Sequence, residues 1–275
     1  MNKLSLEKRT QIIGLLVEGN SMRAASRLAD CSINTVTKLL VDIGYACQFY
    51  QAQVIKSVNS KRVQCDEIWS FCYSKEKNVA PEDKGILGHG DVYTWTAIDA
   101  DSNLAISWLV GRRDLEYAEA FIEDLASRLA GRIQLTTDGH GPYIPAVDRI
   151  FGGAIDYAML VKHYEGQSNT DQRRYSPAQF VCAEKRRISD LPFAKHVSTS
   201  FVERQNLTMR MGMRRFTRLT NGFSKKIENL EHAVALHFMH YNFCRIHKTL
   251  KTTPALEAGI ADKLWSIKDI AKLLD

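Results

Sequence analysis

The segment from Val63 to Tyr73, Val-Gln-Cys-Asp-Glu-Ile-Trp-Ser-Phe-Cys-Tyr, opens the part of the sequence that decides the fold. Its β-branched and aromatic residues predict a strand. Two similar segments follow, from Val92 to Ile98 and from Leu104 to Val110, and a polar turn at residues 99–103 separates them. Three strands therefore follow one another in the sequence.

Helices and strands alternate beyond the third strand. Apolar residues at helical spacing predict a helix from Asp114 to Ala130, and a short apolar strand, Ile133 to Thr137, comes next. A short helix, a fifth strand from Ala154 to Val161 and a long helix complete the order. This order predicts an α/β fold, a ribonuclease-H-like mixed five-stranded sheet flanked by helices.

The N-terminal region predicts an all-α unit ahead of the sheet. Residues 4–43 are read as three short helices, the second and third capped by Ser21 and Ser32. This is a helix-turn-helix pattern, whose third helix would enter the DNA major groove. A purely structural helical bundle is the alternative. The residues expected to face the bases are Asn34, Thr35, Thr37 and Lys38.

These patterns predict a division of the chain into successive units. We expect a helix-turn-helix unit at residues 1–48, a linker at 49–61, a catalytic domain at 62–222 and a C-terminal helical tail at 223–275. The catalytic domain is expected to contain a basic insertion at about residues 164–198. The chain has no apolar run long enough to span a membrane and no signal peptide, so a cytoplasmic, nucleoid-associated protein is expected.

Positive charge is concentrated in one stretch. The formal net charge is +6, but residues 171–226 hold 13 Lys and Arg against 4 Asp and Glu. Such a block is typical of a polyanion partner, although a solvated surface is the alternative. The six cysteines form no C-x-x-C pair, which argues against a zinc site. Candidate DNA contacts are Arg173, Arg174, Lys185, Arg186, Arg187, Arg204, Asn206, Arg210, Arg214 and Arg215.

Three acidic residues are candidate metal ligands. Asp66 lies in the first strand, Asp138 ends the fourth, and Glu203 lies on the long helix. Phosphoryl transfer on DNA needs two divalent ions about 4 Å apart, held by carboxylates. Alternatives stay open at each position. Strand alternation does not choose between Asp66 and Glu67, Asp138 is equally a turn residue, and Ser200-Phe-Val-Glu203 is also a capping box.

Four segments carry a family resemblance. They resemble the DDE transposases of bacterial and archaeal insertion sequences, in the retroviral-integrase superfamily, and above all insertion-sequence family one. The segments are Cys65-Asp-Glu-Ile-Trp-Ser-Phe71; Leu135-Thr-Thr-Asp-Gly-His140; His196-Val-Ser-Thr-Ser-Phe-Val-Glu-Arg-Gln-Asn-Leu-Thr-Met-Arg-Met-Gly-Met-Arg-Arg-Phe-Thr-Arg-Leu-Thr-Asn221; and Tyr241-Asn-Phe-Cys-Arg-Ile-His-Lys-Thr-Leu250, followed by Thr253-Pro254.

The resemblance implies a site and an activity. It places the catalytic metal triad on Asp66, Asp138 and Glu203, favours Asp66 over Glu67, and implies two Mg²⁺ ions, with Mn²⁺ as a substitute. The implied reaction is DNA 3′-end cleavage and strand transfer, with double-stranded transposon ends and target DNA as partners. A homodimer or higher synaptic oligomer is implied, and no membrane. Family-one members begin with a zinc finger that is not found here, so end recognition is expected to rest on the helix-turn-helix or on a separate protein.

The sequence leaves open two alternative functions and the roles of two histidines. The chain could be a catalytically inactive DNA-binding regulator, or a structure-directed nuclease of the same fold. The presence of all three acidic positions favours the enzyme, and the helix-turn-helix argues against the nuclease. His140 and His247 lie in resembling segments, where each could orient a phosphate or simply pack.

Overall fold

A mixed six-stranded sheet forms the centre of the fold. The computed structural model describes residues 4–165, 179–217 and 221–275. The strand order in the sheet is β3-β2-β1-β4-β5-β6, in which β1, β4 and β5 are parallel and the other neighbours are antiparallel. The strands are β1 (Arg62–Cys72), β2 (Gly90–Asp99), β3 (Ala105–Gly111), β4 (Gln134–Thr137), β5 (Asp156–Glu165) and β6 (Gln179–Ser189).

Helices cover both faces of this sheet. Trp95 on β2 contacts Phe121 of α4 and Tyr143 of α5, so these two helices pack on one face. Trp108 on β3 stacks on Phe238 of α7, which covers the opposite face. The ribonuclease-H-like α/β arrangement is therefore confirmed. The helices are α1 (Leu6–Val17), α2 (Met22–Leu28), α3 (Ile33–Val54), α4 (Leu115–Arg128), α5 (Tyr143–Phe151), α6 (Ser200–Gly212), α7 (Ile227–Met239), α8 (Pro254–Glu257) and α9 (Ile267–Lys272).

The sixth strand corrects the predicted strand number. β6 pairs antiparallel with β5 and lies inside the stretch predicted to be an insertion. Its residues from Phe180 to Arg187 are exposed, and four in succession are charged. An edge strand of this kind lacks the alternation of apolar and polar residues on which strand prediction relies. Arg173 and Arg174 lie outside the described residues.

The N-terminal helices differ from the prediction at α3. This helix continues to Val54, beyond Ile43 and into the expected linker at residues 49–61. It continues because Cys47 and Gln51 stay buried against α7, and the Gln51 side chain donates a hydrogen bond to the Ala235 carbonyl oxygen at 3.2 Å. The N-terminal helices and the C-terminal tail therefore pack into one helical layer.

The predicted helix caps are confirmed. The hydroxyl of Ser21 accepts a hydrogen bond from the Ala24 amide, and that of Ser32 accepts one from the Thr35 amide. Asn34 and Lys38 are exposed on α3, and Lys38 forms an ion pair with Asp42 at 2.7 Å. A role for this helix in reading DNA stays a prediction. Within the described residues, no helix has the length and apolar character needed to cross a membrane.

Close approach of α3 and α7 yields a test of this layer. A Cβ atom added at Gly44 would lie 2.4 Å from the His232 Cβ and 2.7 Å from its carbonyl oxygen. We expect G44A to lower the free energy of unfolding by about 1–3 kcal/mol, as overpacking does. Urea denaturation measures the effect. The control is G14A in α1, where the nearest atom is 4.0 Å away and alanine should stabilise the helix by about 0.5–1 kcal/mol. Equal urea midpoints for the two variants would contradict this packing.

Candidate active site

Two carboxylates lie side by side where the parallel pairing of β1 with β4 ends. Cys65 on β1 pairs with Thr137 on β4, so the next residues, Asp66 and Asp138, lie side by side. Glu67 joins them: one potential ligand atom from each of these three residues lies within 4.8 Å of the others. Because all three ligand atoms are carboxylate oxygens, the cluster suits a hard divalent cation.

The sheet separates the two neighbouring acids of β1. Asp66 points toward α6, where the Asn206 side-chain amide donates a hydrogen bond to its Oδ2 at 2.8 Å. Successive side chains of a strand point to opposite faces. Glu67 accordingly points to the α4 and α5 side, where the Arg113 Nε atom donates to its Oε2 at 3.1 Å. Asp138, at the end of its strand, lies near both.

Arg113 holds the second carboxylate in place. Its Nη2 atom donates to Asp138 Oδ2 at 3.4 Å, while the His140 backbone amide donates to Oδ1 at 3.0 Å. The Glu67 side chain, which anchors Arg113, is only 1% exposed. Sequence reasoning missed Arg113. The signal that could have found it is the pair of arginines directly after β3, at the edge of the sheet that carries Asp138.

Crowding and burial penalise negative charge in this cluster. Burial and the Asp138 charge raise the pKa of Asp66 to about 7, with a smaller contribution from Glu203. Burial and the same Asp138 charge raise the pKa of Glu67 to about 8, although Tyr143 and Arg113 partly oppose the rise. A divalent cation would relieve this repulsion between carboxylates, so these residues fit a metal.

Glu203 lies close to this cluster but outside it. It is on α6, three residues before Asn206, the residue that bonds Asp66. Its carboxylate pairs with the Lys162 ammonium of β5 and accepts a hydrogen bond from the Thr199 hydroxyl. The Glu203 charge still contributes to the raised pKa of Asp66. The structure therefore brings together two of the three predicted ligands, Asp66 and Asp138. The third, Glu203, is paired with Lys162.

The capping-box interpretation of Glu203 is wrong. α6 begins after Thr199, and neither Ser200 nor Glu203 caps its amides. Instead, the side-chain oxygen of Gln64 on β1 accepts hydrogen bonds from the Phe201 and Val202 amides, at 2.8 and 3.3 Å. Because Gln64 is two residues before Asp66, this contact fixes the start of α6 against the strand that carries the first carboxylate.

The predicted DNA contacts fall into different environments. Asn206 is only 5% exposed and bonds Asp66, so it is placed to hold that carboxylate and not to contact DNA. Arg215 is partly buried and donates from Nε to the Ser224 hydroxyl at 2.8 Å. Lys185 donates to the carbonyl oxygen of Ala194. Arg210 is half-buried on α6, whereas Arg186, Arg187, Arg204 and Arg214 are exposed.

Both candidate histidines make packing contacts. The His140 ring lies 5.7 Å from the Trp95 ring, and burial and the Arg113 charge lower its pKa. The His247 ring meets the Tyr241 ring edge-on at 4.6 Å, and burial lowers its pKa to about 4. The Nε2 atom of each ring is buried and has no hydrogen-bond partner among the described residues, so whether either histidine also orients a phosphate stays open.

The central part of the chain matches a known family. Residues 87–206 match the family model DDE_Tnp_IS240, described as a DDE domain. The matched span contains Asp138 and Glu203 and begins after β1. This span therefore matches a DDE domain of the insertion-sequence transposase class. This confirms the predicted class. The matched model is named for IS240, and the finer resemblance to family one stays a prediction.

Solved transposase structures are similar at low sequence identity. A piggyBac transposase synaptic complex with hairpin DNA has 9% identity and a TM-score of 0.47, over 99% of this chain and 71% of that one. A Mos1 transposase paired-end complex has 11% identity and a TM-score of 0.26, over 57% of this chain and 60% of that one. No curated protein matches the sequence.

The raised pKa of Asp66 predicts how stability changes with pH. In metal-free protein the folded state holds the Asp66 proton more tightly than the unfolded state, so stability falls as pH rises from about 4 to about 7. We expect D66N to reduce this fall, part of which Glu67 also causes, and to exceed the wild type in stability at pH 8, by up to roughly 4 kcal/mol. Urea unfolding across pH in EDTA measures the difference.

The control is an acidic residue whose pKa is lowered, not raised, in the folded protein. A hydrogen bond from Arg132 lowers the pKa of Asp156, so D156N should be less stable than the wild type at neutral pH, with the difference closing as pH falls below 4. If the difference in stability between D66N and the wild type stays constant from pH 4 to pH 8, the pKa of Asp66 is not raised in the folded protein.

Proposed function

We propose that the chain cleaves DNA at transposon 3′ ends and transfers the freed strand to target DNA, with Asp66, Asp138 and Glu203 as the ligands of two Mg²⁺ ions. One observation carries the proposal: Asp66 and Asp138 lie side by side just beyond the last paired residues of β1 and β4, and Asn206, on the helix that carries Glu203, bonds Asp66. Buried carboxylates placed together at such a cost in stability are typical of a functional site.

The ligand chemistry supports magnesium. Asp66 and Asp138 offer only oxygen atoms, which Mg²⁺ prefers, and Mn²⁺ accepts the same donors. When bound, a pair of such ions would supply charge stabilisation for the attacking and leaving oxygens of the phosphodiester. The protein residues fix where that charge acts. Arg113 and the His140 amide hold Asp138, and Asn206 holds Asp66.

Glu203 completes the site by exchanging partners. Its carboxylate is held by Lys162 and Thr199, close enough to Asp66 to raise its pKa. We propose that Glu203 reaches the cluster by a side-chain rotation, while Gln64 and Asn206 hold α6 against β1. Lys162 therefore neutralises the third ligand until a metal replaces it.

DNA and a second copy of the chain complete the proposal. The exposed start of α3, with Asn34, Thr35, Thr37 and Lys38, would read the transposon ends in the major groove. The exposed arginines Arg186, Arg187 and Arg214 would contact the phosphate backbone. Two ends must be joined in one reaction, so a homodimer or a higher synaptic oligomer is the working form.

Removing one ligand charge tests the catalytic assignment. We expect D138N to abolish Mg²⁺-dependent nicking and strand transfer because the metal loses a ligand, while DNA binding is retained. The control is D148N, which replaces an exposed acid of α5 outside the cluster and should keep wild-type activity. The substrate is a duplex taken from the DNA flanking the gene, and products are separated on a denaturing gel.

The products also separate the alternatives. Cleavage without a strand-transfer product would favour a nuclease of the same fold. Metal-independent binding without cleavage by the wild type would favour a regulator. Undiminished cleavage by D138N would remove Asp138 from the site.

A further inference from the structure

The C-terminal segment from Tyr241 to Leu250 begins with buried residues and continues with mostly exposed ones. The Asn242 side chain forms hydrogen bonds with both the amide and the carbonyl oxygen of Ala105, each at 3.0 Å, and so ties the segment to β3. His247 packs on Tyr241. Arg245 is exposed and has no carboxylate partner within the described residues. Packing does not explain an arginine at this position.

Arg245 lines a cavity of about 510 Å³ on the side of α6 away from the carboxylates. Arg204 and Thr208 line it from α6, Glu18 from the end of α1, and His240 from the turn after α7. Residues 240–244 of that turn form a π-helix, which ends where Arg245 begins. Such turns occur frequently at functional sites.

The charges of this cavity suit an anion. Arg204, like Arg245, is exposed and has no carboxylate partner in the described part of the chain. The one acidic residue among the cavity's described lining residues, Glu18, raises the pKa of His240, while burial and Arg245 lower it. Guanidinium groups bind phosphate oxygens through paired, charge-assisted hydrogen bonds. Arg204 and Arg245 therefore give this cavity the donor groups that a phosphate group would need.

We propose that Arg204 and Arg245 bind a phosphate of the DNA backbone in this cavity, a contact that rests on the proposed DNA-binding function. The position supports DNA as the source of the phosphate. The cavity lies between the end of α1, in the predicted end-reading unit, and α6, which carries Glu203 on another side. An α-helix with its side chains is only about 10–12 Å across. A duplex that reaches from the N-terminal helices to the carboxylates would pass this cavity.

The salt dependence of DNA binding tests the contact. Binding of a fluorescein-labelled duplex is measured by anisotropy in EDTA over a series of salt concentrations, so that the result does not depend on metal or cleavage. We expect R245A and the double variant R204A/R245A to bind more weakly, and the slope of log K against log salt to fall by about one in the double variant. R245K should bind more weakly than the wild type, because lysine lacks the paired donors of arginine.

The control is K263A, which removes an exposed positive charge that does not line the cavity. A double variant whose affinity and slope equal those of K263A would overturn the proposal. A second arm follows the thermal stabilisation by inorganic phosphate. If only that stabilisation is lost in the double variant and DNA binding is unchanged, the cavity binds a free anion and the proposal also fails. A wild type that binds DNA but cleaves none would count against the proposed enzyme and not against this contact.

Discussion

Mutual repulsion among buried carboxylates is the constraint on which the structure of the site depends. β1 and β4 run parallel and in a register that places Asp66 beside Asp138, and Glu67 lies within 4.8 Å of both. In the absence of metal the protein limits this repulsion in two ways. Asp66 and Glu67 hold protons to unusually high pH, and Arg113 places a positive charge between Glu67 and Asp138. The same features that make the cluster costly for stability make it suited to a divalent cation.

Individual hydrogen bonds from the surrounding elements fix the positions of the acidic side chains. Two hydrogen bonds attach α6 to β1. The Gln64 side chain of β1 accepts one from the Phe201 amide, and the Asn206 side chain of α6 donates the other to Asp66. α3 and α7 approach so closely that only a glycine fits at position 44. The N-terminal helices therefore belong to the same helical layer that covers the sheet. The predicted DNA-reading unit is in this way packed directly against the catalytic domain.

The sequence predicts the fold well where apolar periodicity is strong. The five strands from β1 to β5 and the helices α4 and α5 lie close to their predicted positions because their buried faces are continuous. It fails at β6, an exposed edge strand of charged residues, and at the end of α3, where burial against α7 extends a helix through residues with mixed polarity. Such features depend on contacts distant in sequence, which local patterns do not contain.

The site is predictable only in part for the same reason. The family resemblance singles out Asp66 and Asp138, but nothing local indicates that Lys162 holds Glu203, that Gln64 and not Ser200 caps α6, or that Arg113 bridges two acids. Each of these contacts joins residues far apart along the chain. The segment from Tyr241 to Leu250 carries the family resemblance as one continuous stretch, whereas in the structure its residues differ: Asn242 anchors the segment and Arg245 is exposed.

Diffraction from crystals grown with Mn²⁺ tests the central claim most directly, because anomalous scattering locates the ions. We predict manganese peaks between Asp66 and Asp138, with the Glu203 carboxylate released from Lys162 and bound to metal. Manganese held by Asp66, Asp138 and Glu67 while Glu203 remains on Lys162 would contradict it, as would the absence of any manganese at the cluster.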